Sequence, residues 1–419
     1  MANLSYPQRR KIQIYLIAAM LAILCCILVA CNSDNSYSVA GETVSEPTHF
    51  MAKFMIIINN ALGGGVASFG WTVVLFTIIL RLILSPLDVW QKIIARKNGK
   101  AMERMKPQLE VLQARYADDK QRLQQEQMAL YKKEKYSTMG MCLPTIVTFV
   151  VFFVVFAGFR QMVGYQFAKD YKECVNAYNQ SIAEQIEEAK GSAEWSDVIV
   201  DNGDGKWDVD DVAKTEKGAT FYAKAKENAQ QAVYDVYYSA DQVKIRSWLW
   251  IKNIFVSDNW SEAVPDFATV TGQKGMATSK LTGITIDEYN DVMGKLLGTG
   301  GYGKNGKWNG LLILPVLSIA LSILSTTLLN KSNGQAPAAP AAKGQGEDAD
   351  KAKAQQQTAK MMQYIMPLMI GVFAIFYSGA FALYMFTSSA CAILFQLSFN
   401  LIAKLVDKSR ERKAGVAKR

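Results

Sequence analysis

Apolar residues in this chain come in blocks rather than at a strand or helix period, and six blocks approach the length a helix needs to cross hydrocarbon. They run over about 12–30, 66–87, 139–161, 309–329, 361–378 and 380–403. Spacing of this kind specifies an all-α polytopic membrane protein, because in lipid each backbone N–H and C=O must be satisfied within its own segment. With 50% of 419 residues hydrophobic, the chain has the material for two soluble domains, but the blockwise distribution argues against them.

Charge sets the orientation. The formal net charge is +9, yet residues 166–308 carry 16 Lys+Arg against 22 Asp+Glu, a balance of −6 that leaves +15 elsewhere. The basic residues gather in Arg9-Arg10-Lys11, in 91–135 and in 404–419, and alternate crossing places these segments on one side. The positive-inside rule makes that side the cytoplasm. The same distribution argues against a specific nucleic-acid partner, leaving non-specific attraction at the basic tail.

The expected organisation follows the blocks: a signal segment (1–30), an outer linker with an interfacial helix (31–65), a span (66–87), a cytoplasmic helical hairpin (88–138) and a second span (139–161). An extracellular insertion (162–308), a span (309–329), a flexible cytoplasmic linker (330–360), a two-span hairpin (361–403) and a basic cytoplasmic tail (404–419) complete it. Trp71 anchors the 66–87 span at the outer interface, and Pro86 ends it. The hairpin turns near "YADDK", with a kink or restart expected at Pro107. Met102, Met105, Met128, Met139 and Met141 suit either packing within the hairpin or adaptable contact with varied apolar segments. The Ala/Pro/Gly/Gln-rich linker lacks the residues to form a core.

In "TIILRLILSPLD", residues 77–88, an arginine stands inside an apolar block. A charge at bilayer depth costs about 2.5–3.5 kcal/mol, so Arg81 either snorkels to the cytoplasmic interface or faces a wet cavity. Thr77, Arg81, Ser85 and Asp88 recur on one helical face, a polar stripe among Leu, Ile and Val. Ser318, Ser322 and Ser325 make a stripe in the fourth span, and Tyr384, Ser388 and Cys391 another in the sixth. Serines in membrane helices also serve close packing. Taken together with Arg81, the stripes describe a polar, cationic cavity open to cytoplasmic water, suited to acidic or polar polypeptide.

Three further features are local. "LVAC" at 28–31, after a basic and then an apolar region, fits a bacterial lipobox with Cys31 as the lipidated residue; an uncleaved signal anchor is the alternative. In "VDNGDGKWDVDD", Asn202, Asp204, Asp208 and Asp211 take the spacing of a calcium loop whose first ligand position holds Val200. That stretch is a solvated acidic turn or a weak calcium site, and no other cofactor is indicated. His49 is the single histidine, which excludes histidine-based triads and His-rich metal sites, and six cysteines distributed mainly over the spans give no disulfide framework.

"FGWTVVLFTIILRLILSPL" followed by "MERMKPQLEVLQARYADDKQRLQQEQMALYKKEKYSTMGMCLPTIVTFVVFF" resembles the core of the YidC membrane insertases. "SWLWIKNIFVSDNW", "GLLILPVLSIALSILSTTL" and "MMQYIMPLMIGVFAIFYSGAFALYMFTSS" match it in the same order, whereas "SGAFALYMF" departs from the family's usual PAGLxLYW pattern. The resemblance implies a five-span core with a groove open to the cytoplasm and lipid and closed outward, with Arg81 as its arginine. It implies a non-enzymatic insertase and chaperone that passes nascent membrane proteins into the bilayer, alone or with the Sec translocon, and receives ribosomes at its cytoplasmic face. The lipobox resembles that of insertases from single-membrane bacteria, which places the chain in the plasma membrane with a lipid anchor outside. Outside the resemblance, a small-solute transporter or channel and a structural lipoprotein scaffold are the alternatives.

Overall fold

The computed structural model describes residues 36–39, 43–64, 68–116, 119–136, 138–196, 198–199, 215–260, 262–273, 280–298, 308–332, 371–372 and 374–416. In chain order the elements are β1 (Ser36–Ser38), α1 (Phe50–Ala61), α2 (Phe69–Arg115), α3 (Lys120–Lys133), α4 (Thr138–Lys190) and α5 (Glu216–Tyr237). They continue with α6 (Ala240–Arg246), α7 (Phe267–Val270), β2 (Lys280–Thr282), α8 (Ile286–Leu297), α9 (Ile313–Ser332) and α10 (Gly379–Val416). β1 and β2 pair in parallel, Ser36 opposite Lys280. Among the described residues, three helices are long and apolar enough to cross a membrane: α2, α4 from Val150 onward, and α10 as far as Val406. α9 is a shorter apolar helix. Cys31 and the signal segment, the loop holding Asn202, Asp204, Asp208 and Asp211, and most of 330–378 lie outside the described residues.

α2 is one helix of 47 residues, about 70 Å at 1.5 Å per residue, joining the expected span to the first arm of the hairpin. It runs through Pro86, where an end is expected, and through Pro107 without the restart that was one of the two expectations there. Pro86 has no N–H for the carbonyl of Leu82, and the Ser85 hydroxyl donates to that carbonyl instead, at 2.8 Å. Pro107 and Glu103 both lie on the exposed face, so the carbonyl that Pro107 leaves unpaired is open to water. Asp119 then starts α3 by accepting the Arg122 N–H at 3.0 Å. The two arms meet over buried Ala101, Met105 and Leu130, which makes Met105 a packing residue, while Met128 is 50% exposed.

α4 continues for 53 residues and passes straight through the boundary expected at 161. Beyond that point Phe167, Tyr171, Cys174 and Tyr178 bury one face, against α5 and α8. Phe76, Phe159 and Phe381 of the apolar bundle and Tyr171, Val233 and Tyr289 of the insertion belong to a single continuous core. The insertion is therefore built onto the bundle through α4 rather than strung between two spans. α1 crosses α4 closely at Gly158, where a Cβ would come 2.5 Å from that of Met51.

Candidate functional site

α2 and α10 pack together and bring Arg81 to Ser388. Arg81 Nε donates to Ser388 Oγ at 2.9 Å, and Nη2 donates to the same oxygen. Tyr384 lies one turn earlier on α10 and is 7% exposed. On the other side, Arg81 Nη1 lies 3.7 Å from Asp88 Oδ2, and 22% of each side chain is exposed. The Arg81 charge is thus neither fully enclosed nor free in solvent. It is held between a neutral hydroxyl on another helix and a carboxylate two turns along its own.

Toward the amino-terminal ends of α2 and α10 the cluster is closed by aromatic rings. Phe159 stands edge-on to Phe76 and to Phe381, each at 6.0 Å, and lies 5.6 Å from Tyr384. Beyond this layer, residues 247–260 fold over the helix ends. Asn309 Nδ2 donates to the carbonyls of Asn253 and Ser257 at 2.9 and 2.8 Å, and its Oδ1 accepts the Asn253 N–H at 2.7 Å. Asp258, fully buried, accepts the N–H groups of Leu311 and Leu314 at 2.9 Å each and so caps the start of α9. The N–H groups of Gly379 and Ala380, opening α10, donate to the carbonyls of Val256 and Ile254, both at 2.7 Å. This segment, the lid, satisfies the first backbone donors of two helices at once.

Of the predicted site residues, Arg81, Tyr384 and Ser388 come together. Thr77 is buried, and its hydroxyl donates to its own helix at Val73 O, 2.6 Å away. Ser85 serves the Leu82 carbonyl on an exposed surface. Ser318 is buried at the α9–α10 contact, donating to Ala382 O at 3.2 Å, and Ser322 and Ser325 are half-buried on α9. Asp88 was legible as the end of the stripe but not as the ion-pair partner of Arg81. Thr387 and Ser389 flank Ser388 and are buried with it. "TSS" in an apolar helix is the signal that marks them.

The sequence profile of the family described as "60Kd inner membrane protein" matches residues 61–187 and 230–405, well over half of the chain. A membrane protein insertase YidC from Stenotrophomonas maltophilia (strain K279a) is 40% identical over 91 residues, which is 22% of this chain and 15% of that protein. One from Xanthomonas campestris pv. campestris (strain 8004) is 40% identical over 89 residues, 21% and 15% respectively. A third, from Fusobacterium nucleatum subsp. nucleatum, is 32% identical over 112 residues, 27% of this chain and 53% of the relative. The matched stretches thus span between about a seventh and about half of these relatives' length.

Proposed function

From the premise that the chain belongs to the 60Kd inner membrane protein family, the YidC/Oxa1 family, we propose that it is a membrane protein insertase. It receives hydrophobic segments of nascent membrane proteins from the cytoplasm and releases them sideways into lipid. The observation that carries this reading is the mostly buried, partly solvent-reached cationic cluster of Arg81, Ser388 and Asp88, backed by the aromatic layer of Phe76, Phe159 and Phe381. A guanidinium at this depth holds the polar or acidic leading end of a client, while the client's apolar helix lies along the exposed apolar flank of α2 and α9. The bilayer's affinity for that helix drives release, with no nucleotide hydrolysed.

In this reading α2, α4, α9 and α10 cross the plasma membrane of a bacterium, and the α2–α3 hairpin lies in the cytoplasm. The hairpin and the basic end of α10 receive ribosomes, and the Sec translocon is a partner for larger clients. Cys31 is the lipidated residue that anchors the chain outside. Photo-crosslinking from positions next to Arg81 during synthesis of a short membrane protein tests the proposal. Clients captured there, and not from positions in α5, are expected; capture from neither set refutes it.

A further inference from the structure

The lid carries two apolar tips that the described residues leave uncovered. At one end Trp248 and Ile251 exchange both backbone hydrogen bonds, at 2.9 Å each, closing a two-residue turn with Leu249 first. Leu249 has φ +50°, the left-handed region where such turns ordinarily place glycine. Leu249 is 70% exposed, so among the described residues no packing offsets the backbone strain. At the other end Trp260 is 62% exposed.

Both tips adjoin the openings of apolar helices. Trp248 packs edge-on to Trp71 in the first turn of α2, centroids 6.1 Å apart, and Trp71 is itself 54% exposed. The Asn259 carbonyl, beside Trp260, accepts the Gly310 N–H at 2.9 Å, which sets Trp260 close to the approach to α9, where Trp308 is 57% exposed. From these aromatics an apolar surface continues along α2 through Ile78 and Leu82 and along α9 through Val316. Of the two charged residues in 247–260, Asp258 is fully buried and engaged by backbone N–H groups.

We propose that the lid is seated in the bilayer, with Leu249 and Trp260 inserted at the glycerol and upper acyl-chain level of the leaflet on the insertion's side. Indole rings favour that level, and a leucine held in a strained turn finds its contacts there. The lid is then a fixed cover of set depth that lipid holds in place. This rests on the reading that α2 and α9 cross the membrane, and the test separates the two.

The full chain is reconstituted in phosphatidylcholine–phosphatidylglycerol vesicles with an environment-sensitive fluorescent amino acid at position 249, 82 or 227. Glu227 is an exposed position on α5 and serves as the aqueous reference. Bromines placed near the top of the acyl chains are expected to quench the probe at 249 at least threefold more than the probe at 227, and deeper bromines to quench the probe at 82. Quenching at 82 with 249 indistinguishable from 227 overturns the proposal and leaves the membrane reading intact. Absence of quenching at 82 overturns both. Energy transfer between probes at 249 that rises with protein density, without lipid quenching, assigns the surface to a second copy and also overturns it. As an independent measure, Leu249→Gly suits the backbone and removes only the apolar tip. Amide exchange across 248–256 in vesicles is expected to rise at least threefold; unchanged or slower exchange counts against the lipid contact.

Discussion

Arg246 Nη1 lies 3.3 Å from Asp170 Oδ2, with only 4% and 8% of the two side chains exposed, so the insertion is joined to α4 by a buried ion pair. The guanidinium also stacks 3.7 Å above the Tyr237 ring, and Gln166 Nε2 donates to the other carboxylate oxygen at 2.6 Å. Asp170→Leu or Arg246→Met strands a buried charge and is expected to cost about 3–5 kcal/mol. Asp170→Leu combined with Arg246→Met is expected to cost clearly less than the two single losses together. Denaturant unfolding of the four proteins, read as a double-mutant cycle, checks both statements.

Arg81→Ala is expected to reduce insertion of clients with acidic outward tails, because it removes the cation and leaves Asp88 without its partner. Arg81→Lys keeps the charge but not the paired donation to Ser388, so it should retain most activity if charge is what clients read. Ser388→Ala removes one neutral acceptor and is expected to cost about 1 kcal/mol of stability with a smaller effect on insertion. Insertion assays on clients of graded tail charge rank the three. Equal activity of Arg81→Ala and wild type on every client would assign Arg81 to the interface instead.

Much of the bundle was legible because hydropathy has an address in the sequence, and Arg81 was legible as an exception to it. The partners were less so. Ser388 could be placed on a polar stripe, but only the α2–α10 packing reveals that it meets Arg81. The passage of α2 through Pro86 depends on one hydroxyl, that of Ser85, which composition cannot assign to a carbonyl. Hydropathy falls at 161, so hydropathy alone ends α4 there. Yet Phe167, Tyr171, Cys174 and Tyr178 recur at i, i+4, i+7 and i+11, an amphipathic period that could have extended it. Asp170 with Arg246, and Asn253 with Asn309, join positions far apart in the chain and serve charge or backbone groups, so no periodicity announces them.

α1 is expected to loosen on acidification. His49 Nδ1 accepts the Met51 N–H at 3.2 Å and caps the helix, while the His49 N–H donates to Gln161 Oε1 at 2.7 Å. Burial lowers the imidazole below its ordinary 6.5, so the folded state binds the proton less readily than the unfolded chain. The stabilisation is complete above pH 6.5 and is lost as pH falls from there through the folded value, where a protonated Nδ1 can no longer accept. Protection factors of the α1 amides, exchange being corrected for its own slowing in acid, should therefore fall as pH drops below 6.5. His49→Asn supplies a non-titrating cap acceptor and should flatten that profile.

The lid depends on how closely Gly310 approaches Asp258. A Cβ at 310 would fall 1.9 Å from Asp258 Oδ1 and 2.9 Å from its Cα, and the second contact is with backbone that cannot swing aside. Gly310→Ala therefore forces Asp258 away from the Leu311 and Leu314 N–H groups, leaving buried donors unpaired at about 1–3 kcal/mol each. Asp258→Asn keeps the shape but exchanges a charge-assisted acceptor for one carbonyl, so one of the two N–H groups loses its partner; about 1–2 kcal/mol is expected. Both variants should expose 247–260 and the first turn of α9 to amide exchange and leave the α2–α3 hairpin unchanged. If Gly310→Ala protects the lid as well as wild type does, the network of Asp258 and Asn309 is not what holds it over the helix ends.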